Sequence, residues 1–209
     1  MLKNTFVSQT EFDIFKVEEK SRMEKGYLTR SEREQLKPML EKDYKPRIIK
    51  EVPPTPKVSL VNDRTLLSRP CEVVTKEDDI AGIIKKLKDT LSTQSGLAIT
   101  ANQIGINKRI SYLRIPKFNG KGIEFTEMVI INAKIIERDK PIKVNNEACL
   151  SFPGISVTTQ RFVFCTIEYM DEHLKSQVMS YQDLEAMVLQ HEIDHTNGIT
   201  IFDRKWKSR

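Results

Sequence analysis

Residues 181–198 read Tyr181-Gln182-Asp183-Leu184-Glu185-Ala186-Met187-Val188-Leu189-Gln190-His191-Glu192-Ile193-Asp194-His195-Thr196-Asn197-Gly198, and their spacing predicts a helix. It starts near Tyr181 and stops at Asn197-Gly198, residue types that end helices because they accept left-handed backbone. Leu184, Val188, His191 and His195 fall on one helical face, so apolar side chains and both imidazoles point the same way. The core of the stretch, His191-Glu192-Ile193-Asp194-His195, is H-E-x-x-H. Two imidazoles one turn apart can bind the same ion, and the glutamate between them can reach a water on it. The whole chain has only three histidines, which makes the pairing harder to dismiss.

Catalytic ions of this kind take three protein ligands and keep a position for water. Nothing after His195 supplies a further His or Glu. Cys149 is the attractive third donor, in Glu147-Ala148-Cys149-Leu150-Ser151, a segment leading into a Pro153-Gly154 turn. The other cysteines read as packing residues: Cys165 alternates within an apolar strand, and Cys71 has no His or Cys nearby. His173 sits in an exposed turn.

Outward from this helix, the signals are those of an α+β domain running from Val58 to Arg209. Thr75 and Asp78 form a capping-box-like pair ahead of Ile80, Ile83, Ile84, Leu87 and Leu91, which make one apolar helical stripe. Strands are expected over Arg109–Ile115, Met128–Ile136 and Phe162–Met170, rich in β-branched and aromatic residues, with Asn119-Gly120 as a turn. The expected fold is therefore mixed or antiparallel β-sheet packed around a central metal-binding helix. Residues 1–57 read as a charged N-terminal extension. It holds helices from about Thr10 to Gly26 and from Ser31, then a linker stiffened by Pro46, Pro53, Pro54 and Pro56.

Of the 209 residues, 39% are hydrophobic and 30% charged, enough for one core under a solvated surface. No apolar run approaches the roughly 18 residues of a membrane span, and the first twenty lack a secretory signal. A cytoplasmic location follows as the expectation, and the chain is expected to be a monomer. Glu11, Asp13, Glu18 and Glu19 argue against an organelle transit peptide, and an odd cysteine count argues against a disulfide framework. Net charge of +5 is spread among acids, so specific DNA binding is not expected. The basic tail Arg204-Lys205-Trp206-Lys207-Ser208-Arg209 would support at most a weak, salt-sensitive ribosome contact.

Three segments occur in order: Gly96-Leu97-Ala98-Ile99-Thr100-Ala101-Asn102-Gln103, Glu147-Ala148-Cys149-Leu150-Ser151 and Gln190-His191-Glu192-Ile193-Asp194-His195. They resemble the peptide deformylase motifs G-x-G-x-A-A-x-Q, E-G-C-L-S and Q-H-E-x-D-H. The last matches completely, while Ala98, Thr100 and Ala148 depart from the pattern by small groups. The resemblance implies hydrolysis of the N-formyl group from N-formyl-Met peptides, with release of formate. It implies Cys149, His191 and His195 as ligands of one divalent ion, iron(II) natively, with zinc, nickel or cobalt able to replace it. Glu192 would shuttle the proton. The Gln103 side-chain amide and the Leu150 N–H would stabilise the oxyanion, and Glu147 and Arg161 would pair to brace the cysteine segment. Gly96, Leu97, Ala98, Leu184 and Val188 are the expected substrate contacts. Two alternatives share parts of this pattern: a zinc peptidase, through H-E-x-x-H, and a binding protein that grips formylated peptides without cleaving them.

Overall fold

A computed structural model of the chain describes residues 59–118 and 123–207. The helices expected near Thr10–Gly26 and from Ser31, the proline segment and the Asn119-Gly120 turn lie outside the described residues. Contacts divide the chain into two compact units, Met1–Thr55 with Arg114–Thr126, and Pro56–Leu113 with Glu127–Arg209. Within the first, the Arg114 guanidinium lies 4.9 Å from the centre of the Phe125 ring. Every residue of the motifs belongs to the second.

In chain order the described elements are α1 (Arg64–Leu67), α2 (Ile80–Ser92), β1 (Ala98–Thr100), a 3-10 turn (Ala101–Ile104), β2 (Ile110–Phe118), β3 (Ile123–Ala148), β4 (Ser156–Met170), β5 (Ser176–Gln182), α3 (Asp183–Thr196) and a 3-10 turn (Ile201–Arg204). The strands form one five-stranded sheet in sequential order. β1 pairs antiparallel with β2, β3 with β4, and β4 with β5. None of the described helices is long and apolar enough to cross a membrane.

The stripe on α2 does what its spacing predicts. Ile83, Ile84, Leu87 and Leu91 are buried and pack with Ile99, Ile110, Tyr112 and Ile131. Each such side chain contributes up to about 1.5–3 kcal/mol by leaving water. The helix begins differently from the expectation. Asp79, not Thr75, is the N-cap, its carboxylate accepting from Gly82 N at 3.0 Å, while Thr75 and Asp78 close a separate turn before it.

The strands also depart from the sequence reading. β3 spans 26 residues because three register shifts against β4 let it bend and continue. The last shift, between Val144 and Glu147, contains Asn146 at φ 57° and immediately precedes Cys149. β1 and β5 were not expected, since three residues in one and exposed polar positions in the other carry little periodic signal. The tail segment Ile199–Phe202, which reads as strand-like, instead enters a 3-10 turn, because Asp203 accepts from the Thr200 N–H and hydroxyl at 2.9 and 2.7 Å. Gly198, at φ 72°, ends the turn after α3, and a Cβ there would lie 2.7 Å from Ser68 O.

Candidate active site

Two elements bring the donors together. α3 presents His191 and His195 one turn apart, and the bulged end of β3 delivers Cys149 beside them. One ligand atom from each of the three residues lies within 4.8 Å of the others, and Cys149 Sγ is 3.2 Å from His195 Nε2. A thiolate with two imidazoles suits a first-row divalent ion. Ligand bonds of roughly 2.0–2.3 Å can meet at one point between atoms so spaced, so the donor set fits a single ion.

Behind the donors stands a buried ionic brace. Glu147 Oε1 faces His191 Nδ1 at 2.7 Å, so Nδ1 carries a proton and Nε2 is the ring nitrogen left for the cluster; burial opposes charge on this ring, yet its bonds with Cys149 and Glu147 hold it well above the ordinary imidazole value. The same carboxylate accepts from Arg161 Nε at 2.8 Å and from Arg161 Nη2, and Arg161 Nη1 continues to Asp194 Oδ2 at 2.6 Å. Arg204 closes the chain with Nε on Asp194 Oδ2 at 2.8 Å. Burial opposes charge on Glu147, yet the bonds from Arg161 and His191 hold its carboxyl well below the usual carboxylate range. Arg161 is only 2% exposed, so this brace is interior rather than a surface pair.

Gln103 is buried at the end of the 3-10 turn that follows β1. Its Oε1 accepts from Thr100 N at 2.8 Å, which leaves the amide NH₂ aimed at the cysteine segment, 3.6 Å from Cys149 Sγ and 3.2 Å from Ser151 Oγ. Glu192 is 3% exposed, and burial pushes its carboxyl above the usual range. Burial also pushes His195 well below the ordinary imidazole value, favouring the neutral form that a metal needs. By contrast, burial raises the thiols of Cys71 and Cys165 to about 11, so both stay protonated at neutral pH.

The remaining expected residues are distributed as follows. Leu150 packs its side chain on the main core, and a Cβ at Gly96 would lie 2.8 Å from Leu150 Cδ1, so a larger residue there would displace the end of that side chain. Leu97 and Ala98 are buried at the start of β1. Leu184 and Val188 are half-buried on α3. A recess of about 280 Å³ is lined by Arg138, Arg161, Phe162, Asp194 and Arg204 among others, but by none of the three donors. Sequence reasoning gave no role to Ser111, Asp194 or Arg204, and it named Thr100 only as a departure from the motif. Asp194, between the two histidines, offered a signal in its charge, whereas Ser111 offered none.

Residues 56–209 match the family model described as polypeptide deformylase. The peptide deformylase of Brachyspira hyodysenteriae is 34% identical over 128 residues, which cover 61% of this chain and 68% of that protein. That of Aquifex aeolicus is 34% identical over 148 residues, covering 69% and 85%. Among solved structures, a peptide deformylase from Legionella pneumophila superposes with a TM-score of 0.63 at 28% identity, covering 72% of this chain and 86% of that one.

Proposed function

Because this chain belongs to the peptide deformylase family, metal-dependent hydrolases that remove the N-formyl group from nascent polypeptides, we propose that Cys149, His191 and His195 hold the divalent ion. The observation that carries this assignment is the convergence of one thiol and two imidazoles within 4.8 Å. Of the two alternatives, neither a peptidase nor a non-hydrolysing binder is favoured by relatives that are peptide deformylases.

When bound, such an ion acidifies water and polarises the formyl carbonyl. The chain's own residues do the rest. Glu192 takes the proton of the attacking water and delivers it to the departing amine nitrogen. Charge developing on the formyl oxygen is received by the Gln103 amide, held in place through Thr100 N, and by the Leu150 N–H. Glu147 and Arg161 keep His191 in one tautomer and orientation. Gly96, Leu97, Ala98, Leu184 and Val188 line the entry of the methionine side chain. Iron(II) is the native ion, replaceable by zinc, nickel or cobalt. The enzyme works as a cytoplasmic monomer, and residues 58–209 suffice for free peptides, with any ribosome contact weak and lost in moderate salt.

Cys149→Ser tests the ligand set, since a poorly ionised hydroxyl replaces a thiolate. Anaerobically prepared protein is assayed for metal content and for formate release from formyl-Met-Ala-Ser. The variant should lose most of its metal and its turnover together. Retention of one metal per chain with full activity would remove Cys149 from the assignment.

A further inference from the structure

The carboxylate that moves the proton is itself held by a pair of buried hydroxyls. Thr100, the last residue of β1, and Ser111, on β2, are cross-strand partners in the sheet register, and their hydroxyl oxygens lie 2.7 Å apart. The Thr100 hydroxyl donates to Glu192 Oε2 at 2.6 Å and also lies 3.4 Å from the Glu192 carbonyl oxygen. Thr100 and Ser111 have no exposed surface, and Glu192 has 3%. With one proton and two lone pairs, the Thr100 oxygen can donate to Glu192 only while it accepts from Ser111, which sets the direction of the chain as Ser111 to Thr100 to Glu192. Among the described residues, the hydrogen bond from Thr100 reaches the Glu192 carboxylate at Oε2.

We propose that Thr100, backed by Ser111, is a positioning residue that ties down Oε2 of Glu192 and so assigns the proton transfer to Oε1. This rests on the role given to Glu192 above. A carboxylate on a helix has free rotation about its terminal bonds unless something holds it. Here the restraint comes from the sheet, so the orientation of the α3 carboxylate is set by the β1–β2 register. A hydroxyl suits the task because it can go on donating to Oε2 both while Glu192 is a carboxylate and after Oε1 has taken the proton.

The test uses metal-loaded full-length protein and formyl-Met-Ala-Ser. Thr100→Val keeps the branched shape and removes the hydroxyl. It should lower kcat by about tenfold or more, the loss expected for a hydrogen bond to a charged group. KM should stay within about twofold, because substrate contacts are untouched, and metal content should stay unchanged. Thr100→Ser should recover most of the lost kcat, and Ser111→Ala should fall between. A second readout needs no turnover: Thr100→Val should lower the urea midpoint of the otherwise unaltered protein but have less than about half that effect beside Glu192→Ala, as coupling between contacting residues requires.

A wild-type kcat in Thr100→Val, or an equal kcat loss in Thr100→Ser, would overturn the proposal. So would coupling in the urea midpoint without any change in kcat, which would make the bond structural only. If Thr100→Val does not fold, Ser111→Ala decides, with lowered kcat at unchanged KM supporting the proposal and wild-type kcat refuting it. These results are separable from failure of the role of Glu192, since Glu192→Gln that released formate normally would sink that role whatever Thr100 does.

Discussion

α2 and α3 are of nearly equal length, 13 and 14 residues, yet they bury different chemistry. α2 buries Ile83, Ile84, Leu87 and Leu91, plus Thr90, whose hydroxyl returns to its own helix at Lys86 O. α3 buries Ala186, Leu189 and Ile193 together with Gln190, Glu192, Asp194, His195 and Thr196. Any apolar surface of suitable shape would satisfy α2. The buried polar groups of α3 need named partners from elsewhere: Gln190 exchanges two hydrogen bonds with the Phe162 backbone of β4, Glu192 takes Thr100, and Asp194 takes Arg161 and Arg204. Buried ion pairs add little net stability, because desolvation offsets their attraction. What they supply is position, and α3 is where position matters to chemistry.

Substitutions can break this contrast. The largest effect should come from Glu192→Gln, which leaves the donors intact but cannot carry a proton. Formate release should fall by about a thousandfold, equivalent to about 4 kcal/mol of transition-state stabilisation, while metal content and urea midpoint stay near wild type. A midpoint that fell as far as activity would mean that α3 needs Glu192 to fold, and the contrast would fail.

Arg161→Met should come next, destabilising the fold by about 3–4 kcal/mol because Glu147 is left buried without its main partner. Metal affinity should also drop by about tenfold or more, since the Glu147–His191 bond loses its anchor. Chemical denaturation and metal titration measure the two losses. An unfolding change with metal affinity unaltered would show that the brace supports the sheet and not the site.

Leu87→Ala sharpens the comparison from the other side. The side chain has no exposed surface, so truncation should cost about 3 kcal/mol of stability, with kcat per folded, metal-loaded molecule unchanged. Turnover per active site that fell with stability would show that packing on α2 reaches the donors.

Much of this was legible in the chain of residues. Ile80 to Leu91 repeat with helical period and form α2, and His191 and His195 lie four apart on α3, where one turn of any helix brings them side by side. The expected donor set rested on the H-E-x-x-H spacing together with the resemblance of the three segments to the deformylase motifs. The N-cap was not, because Thr75, Asp78 and Asp79 all offer capping oxygens, and only the backbone decides which carboxylate reaches Gly82 N. Strand lengths were underestimated because β3 continues through bulges at Ile131/Lys134 and Ile135/Glu137, where alternation loses its phase.

By itself, then, the sequence determined what depends on local geometry: the α2 stripe, the pairing of imidazoles on α3, and the glycine and asparagine that end it. The tertiary structure decided what depends on register between distant segments. Cys149 meets His195 across 46 positions and Thr100 meets Glu192 across 92. Helical periodicity relates residues three or four apart and carries no information at such separations. These contacts arise where a bulge turns the end of β3 and where β1 and β2 align Thr100 with Ser111.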